Sequence, residues 1–567
     1  GAAQSLRDDD VRDDWHAVNS VPIDDRLTPN RWGPLPLFRR GPRVLSLDIF
    51  GYALELAVLE PDDIHRLVAS YLRDELGERR ASSDDAWLGI RRLAEQRARN
   101  AASAHGRTDV IGMPAIREQL VDLLGATSEP ADGSRLASSA IRREIQLHGE
   151  LWQANPAAMQ HYQNAIASGV TVAFLADSPL PRDHVSRILQ QAGFDQGIVL
   201  VSSQEGATKE VGDLYTTLTK RVGEDPDRII HLGPDAELDH ARASAAGIRT
   251  TRTGDNRRQM MDQVVAGLVE RTGVDSVALG LATDRLVAAG STPSFSDVGY
   301  YAGGPLAAGF CAWAGRMIAD SEPDHVLFCG PSSRLLRQVT TLLRPDLMAT
   351  KMHELDGHVD GGLDPSDFAN LVNRVNLENG DRLLTVDLGW QVRPHRWVAD
   401  QLDRCGKRLD VGGAYIGILD PAPSEPIVTW ALTGEPDCPL SEVAGPKLDA
   451  VAALLPPLPA SSGDPCPGRV EDEVRHELAA GVLQFASDVA PWLAKLPDDS
   501  SPALIEPALR LIDAPRSAEV ELLSTAGEPW PSAMVLPSDS QQQAISRWRR
   551  RPPAKQRPRR PHEDRRL

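Results

Sequence analysis

Short apolar runs that each end in a polar or charged residue constrain this chain more than any other feature. They are Val44-Leu45-Ser46-Leu47 before Asp48, Val170 to Leu175 before Ala176 and Asp177, Ile198 to Val201 before Ser202 and Ser203, and Ile229 to Leu232 before Gly233. Runs of this length bounded by turn residues suit strands buried on both faces. Helical text through Val185 to Ala192 separates the second from the third. Strand and helix in alternation predict an α/β fold, a parallel sheet with helices on both faces. Ile64, Leu67, Val68, Tyr71 and Leu72 recur at intervals of three and four, which predicts a helix with one buried face.

A second alternating unit begins near Val274, with strands expected at His325 to Cys329, Leu383 to Asp387 and Ala414 to Leu419. The chain of 567 residues therefore divides as follows: an acidic, Pro-rich disordered leader (1–40), an α/β domain (41–255) with a helical insertion at about 55–150, a second Rossmann-like α/β domain (274–430), a Pro-rich linker (431–468), a helical region (469–545) and a basic disordered tail (546–567). The tail holds ten Lys or Arg against two acids in a chain whose net charge is −19, so it is free to meet an acidic polymer or a protein partner, or to fold back on the acidic body. No stretch has the ~18 uninterrupted apolar residues of a membrane span, and residues 1 to 20 carry aspartates where a secretion signal would be basic and then apolar. The five cysteines are scattered and never spaced Cys-x-x-Cys, which argues against a disulfide framework and for a cytoplasmic protein.

In an open parallel sheet, ligands sit beyond the carboxyl ends of the strands. Asp48, Asp177, Lys209, Asp235 and Asp239 all follow apolar runs. An attacking carboxylate (Asp48), a neutralising lysine (Lys209) and acids able to hold a magnesium ion (Asp48, Asp235, Asp239) together suit phosphoryl chemistry, because an anionic nucleophile approaches a phosphate only when cations offset the repulsion. Each also has a static reading: Asp48 as a helix cap, Lys209 as its fixed ion-pair partner, and Asp239 at a helix start where the dipole favours an acid.

Ser46-Leu47-Asp48-Ile49-Phe50-Gly51 resembles the first motif of the haloacid dehalogenase-like (HAD) superfamily, Leu175 to Pro181 its second, Ser202 to Lys209 its third, and His231-Leu232-Gly233-Pro234-Asp235 through Asp239 its fourth. The likeness extends to the long tandem HAD-like proteins of bacterial surface-polysaccharide loci, with Gly304-Pro305-Leu306, His325 to Leu336 and Val386-Asp387-Leu388-Gly389-Trp390 similar to their second half. The resemblance implies a nucleophile at Asp48, a charge neutraliser at Lys209, substrate contacts at Asp177 and Ser178, magnesium as cofactor, a cap formed by the insertion, and a phosphorylated small molecule or glycan precursor as partner.

Several supporting residues of that pattern are replaced. Phe50 stands where a second, acid-base Asp is usual, Tyr52 and Ala53 replace Thr and Leu, Ala176 replaces an anion-binding hydroxyl, and Gly233-Pro234 replaces Gly-Asp. Pro331-Ser332-Ser333 follows the first strand of the second half, where Asp387 is a lone acid. The reading is of a degenerate HAD-like protein, a pseudoenzyme or binding scaffold, with a magnesium-dependent hydrolase as the alternative. His353-Glu354-Leu355-Asp356-Gly357-His358 spaces its histidines by five, unlike a zinc-protease helix, and reads as a loop; Gly303 to Gly309 reads as close helix packing.

Overall fold

A computed structural model describes residues 42–76, 84–104, 110–125, 130–253, 272–355, 365–390, 393–418, 427–433, 449–458, 470–493, 502–513, 515–526 and 529–530. The leader and the basic tail lie outside the described residues. Two compact units form: one from residues 42–55 and 154–253, the other from residues 56–153 together with the described residues from 272 onward.

The first unit is built on strands β1 (Val44–Asp48), β2 (Thr171–Ala176), β3 (Ile198–Val201), β4 (Ile229–Gly233) and β5 (Arg249–Arg252). All are parallel, in the order β3-β2-β1-β4-β5. Every residue of β1 is buried, as a central strand covered on both faces requires. Chain connections leave β1 toward β2 on one side, and β4 leads to β5 on the other, so the order reverses between β1 and β4. That is the crevice where an α/β sheet binds ligands. The helix Asp213–Val222 turns Leu214, Tyr215 and Leu218 into a core with Val44, Leu175, Leu200 and Ile229. Asn155 caps the helix Pro156–Ala167, its side chain accepting the Ala157 amide at 2.8 Å ahead of a first-turn proline. The four apolar runs became strands; β5, with only Arg and Thr and largely exposed, had no apolar run to mark it.

In the second unit, helices Asp63–Leu76, Asp84–Ala104, Met113–Gly125 and Pro130–Leu151 pack together. Ile64, Leu67, Val68 and Leu72 are buried as their spacing predicts, while Tyr71 lies outside under the Arg143 guanidinium. Ser276 joins these helices to the later chain, donating to Asp63 at 2.6 Å and accepting the Leu59 amide at 2.9 Å. The insertion thus groups with the second half of the chain, a division that the run of the sequence did not suggest.

This unit holds a second parallel sheet: β6 (His325–Cys329), β7 (Met352–Leu355), β8 (Arg382–Trp390), β9 (Asp410–Ile418) and β10 (Ile427–Thr433), in the order β10-β9-β8-β6-β7. His353, Glu354 and Leu355 lie in edge strand β7, not in the loop expected of them; the rest of that motif, Asp356 to His358, lies outside the described residues. Within the segment read as a linker, Ala450, Val451, Leu454 and Leu455 are buried, so part of it belongs to the core, and Leu455 accepts a hydrogen bond from Ser332. The small-residue run packs as expected: a Cβ on Gly303 would lie 2.7 Å from the Leu454 carbonyl oxygen, and one on Gly304 would lie 2.5 Å from Phe485. Among the described residues no helix is long and apolar enough to cross a membrane.

A buried ion pair in this unit joins Arg510 and Glu519. Arg510 donates two bonds to Glu519, at 2.7 and 2.8 Å, and Tyr301 donates a third at 2.7 Å. Removing one partner of such a pair strands the other charge without water. Glu519→Ala is expected to cost about 3–5 kcal/mol, whereas Glu224→Ala, which breaks the exposed pair with Arg43, should cost no more than about 1 kcal/mol. Denaturant unfolding of the two full-length variants, followed by circular dichroism, checks the contrast.

Candidate functional site

Three of the chemistry-bearing side chains converge at the carboxyl ends of β1 and β4. Asp48 is the last residue of β1. Lys209 follows β3 and the short turn Ser202–Glu205, and its ammonium reaches back across the sheet to Asp48 Oδ1 at 2.5 Å and Asp239 Oδ1 at 2.7 Å. All three are nearly devoid of solvent, at 5%, 5% and 1% exposure. One ammonium thus serves two buried carboxylates.

Asp177 positions the lysine without touching its charge. Its carboxylate accepts the backbone amides of Lys209, at 2.9 and 3.0 Å, and of Glu210, at 3.3 Å, and so pins the loop that carries the lysine. Burial raises the Asp177 pKa against these donors. Ser178 is spent locally: its amide donates to Ser202 Oγ, and its hydroxyl accepts the Leu180 amide. Asp235 does not join the cluster. Its carboxylate caps the turn Ala236–Ala241, accepting the amides of Glu237 and Leu238 at 2.8 and 2.7 Å.

Beneath the lysine runs a chain of hydrogen bonds that sequence reasoning did not find. Ser46 Oγ lies 2.8 Å from His231 Nδ1, and His231 Nε2 lies 3.3 Å from Asp239 Oδ1. A neutral imidazole satisfies both contacts by accepting from Ser46 and donating to Asp239. Burial lowers the His231 pKa and favours that neutral form. Alternation along the strands was the available signal: Ser46 and His231 are register partners on adjacent β1 and β4. Gly233 also finds its reason here, since a Cβ on it would fall 2.3 Å from the Asp239 carboxylate. Gly51, at φ +142°, turns the chain where a Cβ would lie 3.0 Å from Asp48 Oδ2.

The two carboxylates are unequal. Burial raises Asp239, but the bonds from His231 and Lys209 outweigh it, and the Asp235 amide adds a third donor at 3.0 Å, so its pKa falls below the ordinary value. Asp48 has the lysine alone. Burial, reinforced by the charge of Asp239 and only partly offset by Lys209, pushes its pKa up to about 6. The cluster carries one more carboxylate than ammonium, and Asp48 is where the extra proton binds.

This donor set does not fit a divalent cation. Both converging carboxylates face the ammonium, the third acid is turned away, and a hard ion wants about six oxygen ligands. Among the described residues no group of three or more His, Cys, Asp or Glu side chains could hold a metal ion. The replaced positions supply no further anchor: the Tyr52 hydroxyl bonds His161 Nδ1 at 2.6 Å, and Ala176 offers no hydroxyl.

The second sheet has its own reversal, between β6 and β8, and Asp387 sits there. It accepts the Leu388 amide at 2.8 Å, and burial pushes its pKa up to about 7. A Cβ on Gly330, at φ +85°, would lie 2.9 Å from its Oδ1. Among the described residues no lysine is bonded to it.

No family model matches the chain, and neither does any curated protein. Solved structures similar to part of it include a dehalogenase (18% identity, 37% of this chain and 84% of that one, TM-score 0.26), a protein described as a predicted phosphoglycolate phosphatase from Haemophilus somnus 129PT (16%, 37% and 84%, 0.25) and one described as a putative HAD-hydrolase from Bacillus subtilis bound to magnesium (15%, 37% and 88%, 0.28).

The sign of the pH response differs between the two acids. Asp48, with its folded pKa raised, contributes stability that is full below its unfolded value near 3.8 and declines as the pH rises toward about 6. Asp239, with its folded pKa depressed, contributes stability that is present above about 4 and is lost as the pH falls. A carboxyl-detected NMR titration should give Asp48 a midpoint near 6, and Asp239→Asn should lower it by removing the competing charge. Lys209→Met, which leaves the two acids facing each other, is expected to cost about 3–5 kcal/mol at pH 7 in denaturant unfolding.

Proposed function

We propose that this chain is a degenerate HAD-like protein, a pseudoenzyme whose first unit retains a ligand-binding rim but not turnover, and that it acts as a binding or scaffold protein in glycan or phosphorylated-metabolite pathways. The observation that carries the reading is the Lys209 ammonium, bonded at 2.5 and 2.7 Å to both acids that a hydrolase of this kind would need for attack and for metal binding.

Three features support it. Attack by Asp48 on a phosphoester would place a second anion beside a cluster already one negative charge in excess, and no further cation converges there among the described residues. A leaving group would depart without a proton donor, since Phe50 replaces the acid; such a donor is worth on the order of 10²–10⁴ in rate. Ser178, the remaining hydroxyl of the second motif, is committed to the Leu180 amide. Asp48 and Lys209 then hold the rim in place, and Asp177 fixes the lysine's loop. The basic tail supplies a second contact, for an acidic polymer or a protein partner.

The test compares wild type with Asp48→Asn on p-nitrophenyl phosphate and on a 2-haloacid, with and without magnesium, at pH 7.5. Equal background rates from both proteins on both substrates, unchanged by magnesium, are expected. Turnover by the wild type that falls a hundredfold or more in Asp48→Asn would replace this reading with that of a hydrolase.

A further inference from the structure

The second unit carries a cleft of about 440 Å³ that belongs to neither acid cluster, lined by Arg334, Arg337, Met352, His353, Glu354 and Arg374. Its walls come from three elements of one sheet edge: the helix Ser333–Leu343 supplies Arg334 and Arg337, the edge strand β7 supplies Met352, His353 and Glu354, and the last turn of the helix Pro365–Val375 supplies Arg374. Three guanidinium groups thus meet a single carboxylate in a protein of net charge −19. Glu354 accepts from Nε of Arg334 at 3.2 Å and from Nε of Arg337, so it orders both arginines side by side while cancelling only part of their charge.

His353 reports the field these groups create. It stacks on His325, with centroids 5.3 Å apart, and lies 3.0 Å from its Nδ1, while the far nitrogen of His325 faces Asp381 at 3.5 Å. Burial first, then the positive charge of His325, Arg374, Lys351 and Arg337, hold the His353 pKa at about 4. A concave site with excess guanidinium and a neutral imidazole on its wall is built to receive a multivalent anion.

We propose that this cleft binds a phosphoryl group, as a phosphomonoester or diphosphate, with Arg334, Arg337 and Arg374 as its donors and Glu354 as the internal anion that spaces them. A tetrahedral dianion offers acceptors in three directions, one for each guanidinium, whereas a carboxylate offers a single plane. The site is independent of the Asp48 cluster and stands whether or not that cluster turns over.

The test is titration of the full chain, at low salt and pH 7, with pyrophosphate, inorganic phosphate and a hexose 1-phosphate, followed by calorimetry and by the His353 ring signals in NMR. Saturable binding of one anion per chain is expected, with the His353 midpoint moving up from about 4 as the bound charge offsets the arginines. Arg374→Gln, at an exposed position, should weaken binding about tenfold, the loss of one charge-assisted contact. Glu354→Gln should tighten it, which a purely structural role for Glu354 would not do. Asp48→Asn should leave it unchanged. Tighter binding of the hexose phosphate than of inorganic phosphate identifies an ester as the ligand, and equal binding identifies the free anion. Absence of saturable binding, indifference to Arg374→Gln, or loss of binding in Asp48→Asn would each overturn the assignment.

Discussion

A single ammonium shared by two buried carboxylates organises the first unit. Lys209 reaches both Asp48 and Asp239 because β1 and β4 are adjacent and parallel, and its ammonium offsets part of the hydration that the two buried carboxylates lose. Topology and charge therefore support one another. The loop bearing the lysine is fixed by Asp177 through its backbone, so the cation arrives with its position already determined.

The same logic explains how the cluster differs from a working acid pair. A site built for chemistry keeps one group short of partners, ready for the substrate to complete it. Here Asp239 has three donors, Asp235 has two, and Ser178 is closed into its own turn, so most of the demand for hydrogen bonds is met within the protein. Asp48 is bonded by Lys209, and its raised pKa follows from burial, reinforced by the neighbouring charge of Asp239. An acid already bonded to a buried lysine can orient a ligand, but Phe50 supplies no second group with which to pass a proton.

Legibility in the sequence followed burial. Strands β1, β2, β4, β6, β8 and β9 announced themselves because a central strand covered on both faces must be apolar, and the edge strand β3 did so as well through its run Ile198–Val201. The edge strands β5 and β7 did not: β5 reads Arg-Thr-Thr-Arg, and β7 carries His353 and Glu354, which line the arginine cleft. Asp48, Lys209 and Asp239 were legible as a set, since each follows a strand whose place in the sheet fixes where its side chain falls. Asp235 was misleading for a local reason: four residues ahead of Asp239, it is equally acidic, and only the turn geometry shows that it caps a helical turn instead. His231 and Ser46 were hidden inside apolar runs, where a polar pair is visible only once the register places them opposite each other.

The two sheets show what the lysine contributes by showing what happens without one. Each reverses strand order beside its first strand, and each places a buried aspartate at the reversal, Asp48 in one and Asp387 in the other. Burial acts on both in the same direction. Asp48, with a cation at 2.5 Å, is held to about 6, although a second carboxylate pushes against it, whereas Asp387, answered only by backbone amides, rises to about 7. Both acids are thus raised by burial, one against a shared ammonium and the other against backbone amides. The second sheet can keep its aspartate near neutral pH because that acid accepts a proton at little cost. The first sheet must keep its cluster charged, since Asp239 is stabilised as an anion by three donors and the lysine cannot give up its proton between two acids. The arginine-bearing edge of the second sheet follows the other pattern, with Arg334 and Arg337 ordered by a single half-buried carboxylate, Glu354.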